Sequence, residues 1–244
     1  MNPTLTIARR ELKGYFASPV AFVVIFLFLL LAAVCTFKWG MWLERGESTL
    51  TWFFFFHPFL YGVFVPALGM RTWSEERRSG TIELLLTMPV TPWQAIVGKF
   101  IASWAVIGIG LALTFPIVVT ANYLGTPDNG VIIAGYLGSL LMAGSFMAIS
   151  TLTSSITRHQ IVSFLVSVVV CLILIFAGFP TVTDMFVTWA PTWLVEGIAA
   201  FSIWTHFESI KMGVLDSRDI LYFLSVIVFS LFTTNVIIRA HRAG

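Results

Sequence analysis

Long apolar runs separated by short polar stretches set the pattern of this chain. Six runs approach or exceed the length a helix needs to cross a bilayer core, about 20 apolar residues. They cover Val20 to Phe37, Trp52 to Met70, Ala95 to Ala121, Val131 to Leu152, Ile161 to Phe179 and Ile220 to Ile238. None alternates as a lipid-facing barrel strand does, and only helices and closed barrels satisfy their backbone polar groups in lipid. The pattern therefore predicts an all-α integral membrane protein with six transmembrane helices. The second run carries His57, Pro58, Gly62, Pro66 and Gly69. Its prolines predict a bent helix packed against protein, with His57 a hydrogen-bonded structural residue. The fourth carries Gly135, Gly138, Ser139, Ala143, Gly144, Ser145 and Ser150, small residues that let helices approach closely.

Three further stretches do not fit the spanning pattern. Asn2 to Ser18 interleaves Ile7, Leu12, Tyr15 and Phe16 with Arg9, Arg10, Glu11 and Lys13. This predicts an amphipathic helix lying in the membrane plane, ended by Pro19. Arg71 to Lys99 is the most charged part of the chain. After Glu75, Glu76, Arg77 and Arg78, Ser79-Gly80 marks a turn, and Thr81 is placed to cap a short helix. That helix, over 79–90, would hold Ile82, Glu83, Leu84, Leu85 and Leu86 until Pro89 and Pro92 break it. Leucines there face no lipid, and such exposure marks a partner surface. Pro180 to Asp219 is too apolar for a loop and too interrupted by Asp184, Pro191, Glu196 and Glu208 to span. It predicts short re-entrant or interfacial helices lidding one end of the bundle.

Composition agrees. Of 244 residues, 58% are hydrophobic and 11% charged, too few charges for the wetted surface of a soluble domain and too much apolar surface for disorder. Ten of the 14 Lys and Arg residues fall on the side that carries both termini of a six-span chain. The positive-inside rule makes that side the cytoplasm, so the expected location is the cytoplasmic (inner) membrane. Trp39, Trp42 and Trp52 would flank the outer interface and Trp73 and Trp93 the inner one, while Trp104 packs inside the bundle. The apolar run after Glu11 is too long for a signal peptide core, so the first span is expected to be retained. Cys35 and Cys171 sit in apolar runs and read as small core residues.

The chemistry that is missing narrows the function. Gly98-Lys99 comes nearest to a phosphate-binding loop, but Trp93 stands at the first glycine and Phe100 at the hydroxyl. His57, His159, His206 and His241 lack metal-ligand spacing. No nucleophile elbow or paired catalytic groups occur, so an intramembrane enzyme fails. Carboxylates at mid-span, the mark of ion-coupled carriers, are absent too. If the protein moves something, the energy comes from elsewhere.

Two stretches resemble a known family. EERRSGTIELLLTMPVTPWQAIVGKF resembles the signature of type-2 ABC transporter permeases through Glu76, Arg77, Gly80, Thr81, Glu83, Leu84, Leu85, Pro89, Gly98 and Lys99. ARRELKGYFASPVAF resembles the same family's elbow helix through Arg10, Glu11, Leu12, Tyr15, Phe16, Ser18 and Pro19, with Arg9 beside them. The compact form is most similar to gliding-motility-type permeases, then to those of nitrous-oxide-reductase maturation. The resemblance implies that 79–90 is a coupling helix seated on a separate cytoplasmic ATPase. Its contact residues would be Glu76, Arg77, Arg78, Gly80, Thr81, Glu83, Leu84, Leu85, Thr87 and Pro89. Arg158 and His159 would make a smaller second contact. ATP and Mg would be bound by that ATPase, with no cofactor in this chain. A second permease chain, the same or related, is implied, with the second and fifth spans at the interface.

Two functions remain open on these residues. One is export of a lipid-like or amphipathic substrate, driven by the ATPase. The other is transmission without transport, in which ATPase cycling is relayed to an outer partner docked on the lid around Trp189, Trp193 and Trp204. Lipid is an expected partner in both, and nucleic acid in neither.

Overall fold

A computed structural model describes residues 3–81, 90–187 and 190–240. All regular structure among them is helical. The elbow helix, Pro3–Ala17, comes first. Ser18 then accepts a hydrogen bond from the Val20 amide and Pro19 occupies the first turn, so the first span starts at once as Pro19–Val34. It ends in a π-helical turn, Cys35–Trp39, followed by Met41 in the left-handed region and a short helix, Trp42–Arg45.

The second span runs Thr51–Gly69 and continues as Arg71–Ser79, a 29-residue apolar-to-charged helix broken only at Met70. The charged stretch before the turn at Ser79-Gly80, for which the sequence pattern names no element, is a helical extension of the span. The break follows Pro66 by one turn. Ser154, on the fourth span, fills it: its hydroxyl accepts from the amides of Trp73 and Ser74, 3.0 Å each, and donates to the Met70 carbonyl at 2.9 Å. The amides that the break at Met70 leaves without an intrahelical partner are thus taken up by a neighbouring helix. Thr91 and Gln94 form a reciprocal capping box at the start of the third span, Pro92–Ala112. That span steps at Thr114 into Phe115–Leu124, where Pro116 lies in the first turn.

The fourth span, Asn129–Ile156, is the axis of the bundle. In its most apolar window 72% of residues are buried, against 28% for the first span. Its glycines explain why. A Cβ on Gly138 would meet Ile210, one on Gly135 would meet Phe54, and one on Gly144 would come within 3.1 Å of Ile227 and Trp104. Ser139 donates to the Tyr61 hydroxyl and Ser145 to the Phe223 carbonyl. Close packing from small residues is as predicted.

The fifth span, Gln160–Phe176, is short and bends by 72° into Pro180–Val187. Thr192–Ala200 and Ile203–Lys211 follow, and Ser217–Ala240 is the sixth span. The segment between the last two spans is therefore three short helices, as its interrupted apolar pattern predicts. Five described helices are long and apolar enough to span, or six if the bent pair is one span.

Two of the tryptophans expected in interfacial belts pack inside the protein, while Trp39 and Trp93 are exposed. Trp42, Trp73 and Trp204 are buried in the protein, with the Trp42 indole donating to the Thr49 carbonyl at 2.8 Å. Trp39 and Trp193 are exposed. Trp104 packs inside, its indole on the Leu140 carbonyl at 2.9 Å. Cys35 and Cys171 are buried free thiols. His57 is also buried, yet neither ring nitrogen has a hydrogen-bond partner. It is caged by Phe28, Phe53, Phe54 and Tyr61, with the Phe53 ring edge-on at 4.4 Å. Polar satisfaction is what the sequence suggested for it; aromatic enclosure is what it has.

Candidate functional site

The site lies at the end of the bundle that carries the elbow helix, around Lys99. This lysine sits near the start of the third span and is 5% exposed. Its ammonium contacts Glu76 at 2.7 Å and Glu11 at 3.4 Å, and stands 5.4 Å over the Trp73 ring. A lysine in that position would be costly to bury unpaired; two carboxylates from separate elements compensate it. The node thus joins the elbow helix, the extension of the second span and the third span through one charge.

Gly98 makes the approach possible. A Cβ there would come within 2.9 Å of Ile7 Cγ2 and of the Thr4 carbonyl. The elbow helix therefore lies directly on the third span, with Ala8 buried and Arg9, Arg10 and Lys13 exposed. Arg10 pairs with Glu11 at 3.1 Å. Further along, the Tyr15 hydroxyl donates to the Leu68 carbonyl at 3.4 Å, and burial pushes its pKa up to about 12, so it stays a neutral donor.

The extension of the second span ends at Gly80, whose φ of 72° gives the left-handed stop that Ser79-Gly80 predicts. Ser79 and Thr81 share a hydroxyl contact of 2.9 Å. Arg71 and Glu75 form an exposed pair one turn apart, and Arg78 points to solvent. Arg77 donates to the Ser155 carbonyl. That bond ties the extension to the turn between the fourth and fifth spans, where Arg158 and His159 are exposed. The described flank of the first expected ATPase contact, Glu76 to Thr81, is thus brought to the same end as the second. Glu83, Leu84, Leu85, Thr87 and Pro89 of the proposed coupling helix lie outside the described residues, as does Trp189 of the lid.

The lid divides the remaining tryptophans. Trp204 is 6% exposed and packs edge-to-face on Phe55 and Phe179, at 5.3 and 4.8 Å. Trp193 is 70% exposed. Among the described residues no group of three or more His, Cys, Asp or Glu could hold a metal ion.

Sequence reasoning named Glu11, Glu76 and Lys99 separately and missed that they form one cluster. The signal was present: Lys99 falls inside the third predicted span, where an ionisable group asks for a partner.

Residues 44–188, more than half of the chain, match the family described as ABC-2 family transporter protein. The chain belongs to that family. It is accordingly a multi-pass membrane protein and a permease subunit of an ABC transporter, of a class that associates with an ABC ATPase, is typically dimeric and is generally non-catalytic. The match takes in the second to fifth spans and the segment between Gly80 and Thr91; the elbow helix precedes it. Comparison with curated proteins gives no match.

Proposed function

We propose that this ABC-2 permease couples a cytoplasmic ATPase, seated on 79–90 with Arg158 and His159 beside it, to export of a lipid-like or amphipathic substrate. The Lys99 node carries this reading. Glu76 precedes the coupling segment and Lys99 follows it, so the ion pair closes the two flanks of that segment over a buried charge. A push on the segment reaches the second and third spans and the elbow helix together rather than flexing a loop. Both termini and the elbow end face the cytoplasm in this reading, because ten of the 14 Lys and Arg residues lie there. The substrate class is proposed from the apolar faces of the spans: the cavity bounded by Phe28, Tyr61, Phe64 and Val106 exposes no polar atom and has a volume of only about 20 Å³. The path would therefore run between two copies. The fifth span exposes Ile161, Leu165, Val169 and Ile173 along one face and is proposed, with the second, to meet the other copy.

Changing Leu84 and Leu85 to Asp should release the ATPase while the spans stay folded. Recovery of stoichiometric ATPase with that variant in a pull-down would sink the coupling assignment.

A second reading is favoured by the packed protomer and by the lid, where Met185, Trp193 and Phe201 are each about two-thirds exposed or more. Here ATPase cycling is relayed to an outer protein and nothing is moved. Deleting 188–205 should then abolish binding of that protein with ATPase assembly intact. Loss of both together would leave the lid a stabilising cap.

A further inference from the structure

The last of the lid's three short helices, Ile203–Lys211, carries a histidine with an acceptor at each ring nitrogen. His206 Nδ1 lies 2.7 Å from Asp219 Oδ1, in the first turn of the sixth span, and Nε2 lies 3.0 Å from the Ala200 carbonyl, at the end of the preceding lid helix. The ring stacks on Tyr222 at 3.9 Å, and the Tyr222 hydroxyl donates to the Phe201 carbonyl at 2.5 Å. In the same turn the Ser202 hydroxyl donates to the Leu174 carbonyl of the fifth span at 2.8 Å. Residues 200–202 are therefore where the lid is fastened to both neighbouring spans, and His206 is the member of that fastening whose charge changes near neutrality.

A carbonyl and a carboxylate only accept. A neutral imidazole has one N–H, so it serves one of the two oxygens and turns a lone pair on the other. The imidazolium serves both and puts a cation over the Tyr222 ring. The His206 and Asp219 side chains are 19% and 10% exposed, open enough for a proton to reach them. Other charges stand apart. On the same helix Glu208 pairs with Lys211, Glu196 of the preceding helix is exposed, and so are Asp216 and Arg218 beside the sixth span. The second, fourth and fifth spans also pack on this helix, but Thr51–Gly69, Asn129–Ile156 and Gln160–Phe176 contain no Asp, Glu, Lys or Arg. Their titratable groups, His57, Tyr61, Tyr136 and Cys171, make no hydrogen bond or ring contact to His206 among the described residues.

We propose that protonation of His206 latches the lid to the sixth span. When the proton leaves, the remaining N–H stays with the carboxylate, the stronger acceptor. The Ala200 carbonyl is released, and the end of Thr192–Ala200 loosens. The closed latch holds a proton that the open one gives up, so falling pH favours closure and rising pH favours release, across the imidazole range of about pH 5 to 8. On the proposed orientation the lid then answers to acidity outside the cytoplasm, whether the chain exports a substrate or relays ATPase cycling.

The test is amide exchange of the whole purified chain in mild detergent, read by mass spectrometry at about pH 5 and about pH 8 and corrected for the intrinsic rate at each. Protection of 198–204 should fall about fivefold at the higher pH, the factor one ordinary hydrogen bond carries, while that of the fourth span stays constant. His206→Phe keeps a ring on Tyr222 without an N–H and should leave 198–204 weakly protected at both pH values. Asp219→Asn distinguishes the latch from packing. Its side-chain amide can donate to Nδ1 of a neutral ring, which leaves the Nε2–H for Ala200, so protection should stay high at the higher pH. Should His206→Phe not fold, the wild type against Asp219→Asn decides. Equal wild-type protection at the two pH values, a fall shared by the fourth span, a pH dependence that survives His206→Phe, or weak protection at both pH values in Asp219→Asn would each overturn the latch.

Discussion

Each end of the bundle buries one lysine, and the two are held in different ways. Lys99, at the elbow end, is neutralised by Glu11 and Glu76, which come from two other elements, and its ammonium lies over the Trp73 ring. Lys211, at the lid end, has one carboxylate, Glu208 on its own helix at 2.8 Å, and lies over the rings of Phe55 and Trp204 at 5.3 and 5.6 Å. The first charge ties three elements together. The second closes a turn of one helix onto an aromatic floor. A charge shared between elements must be broken or carried along when they move, whereas a charge paired within a helix travels with it. On the proposed coupling, the elbow end would transmit displacement and the lid end would hold a shape.

The sharpest way to break this contrast is Lys99→Met. It strands Glu76, 19% exposed, while Glu11, 23% exposed, keeps only Arg10. Breaking a buried pair from one side costs on the order of 3–5 kcal/mol, and partial exposure puts this case at the lower end. The apparent melting temperature in detergent, at a fixed scan rate, should fall clearly, and ATP hydrolysis by the assembled complex should lose its dependence on the permease. Adding Glu76→Gln to Lys99→Met should restore part of the loss. A double variant no better than the single would mean the node is not a coupled unit.

Ser154→Ala probes a second link at the same end. Its hydroxyl serves the Trp73 and Ser74 amides and the Met70 carbonyl, so two backbone amides at the helix break lose their partner, while the Met70 carbonyl keeps the Ser74 hydroxyl. The expected loss is about 1–3 kcal/mol, read as a lower melting temperature and faster amide exchange at 70–75. Unchanged exchange there would show that water or the helix itself fills the gap.

What could be read from the sequence, and what could not, follows from range. The spans were legible because lipid imposes a length and a composition on each one separately. The turn at Gly80, the break at Pro116 and the lid's short helices follow from local residues, although Pro116 was passed over inside a long apolar run. The extension Arg71–Ser79 was given no element because its charges hide any apolar period; a helix leaving a membrane keeps its hydrogen bonds and can carry charges on every side. Lys99 inside the third predicted span asked for a partner, but its partners could not be named, because Glu11 and Glu76 lie far from it in the chain and no local pattern pairs them. Ser154 looked like one more small residue for close packing, and only the break at Met70 opposite it reveals the second task. His57 misled in the other direction: its type suggested hydrogen bonds, but the aromatic residues at Phe53, Phe54 and Tyr61, all within one turn of it, were the better guide.

The smallest effect should come from Lys211→Met, and its smallness is the test. Glu208 is 38% exposed, so when the ammonium is removed the carboxylate turns to water instead of being stranded. Methionine keeps an unbranched, polarisable chain against Phe55 and Trp204, where sulfur packs well on aromatic edges. Removal of a pair with one wet partner is worth about 0–1 kcal/mol, and the regained contact offsets part of it. The melting temperature should therefore move little, and ATPase assembly not at all. A loss as large as that of Lys99→Met would show that Lys211 does more than close its own helix. Asp128 lines the same small cavity as Lys211, and it is the carboxylate whose replacement by Asn would then be tried for a second, longer-range contribution to the lid end.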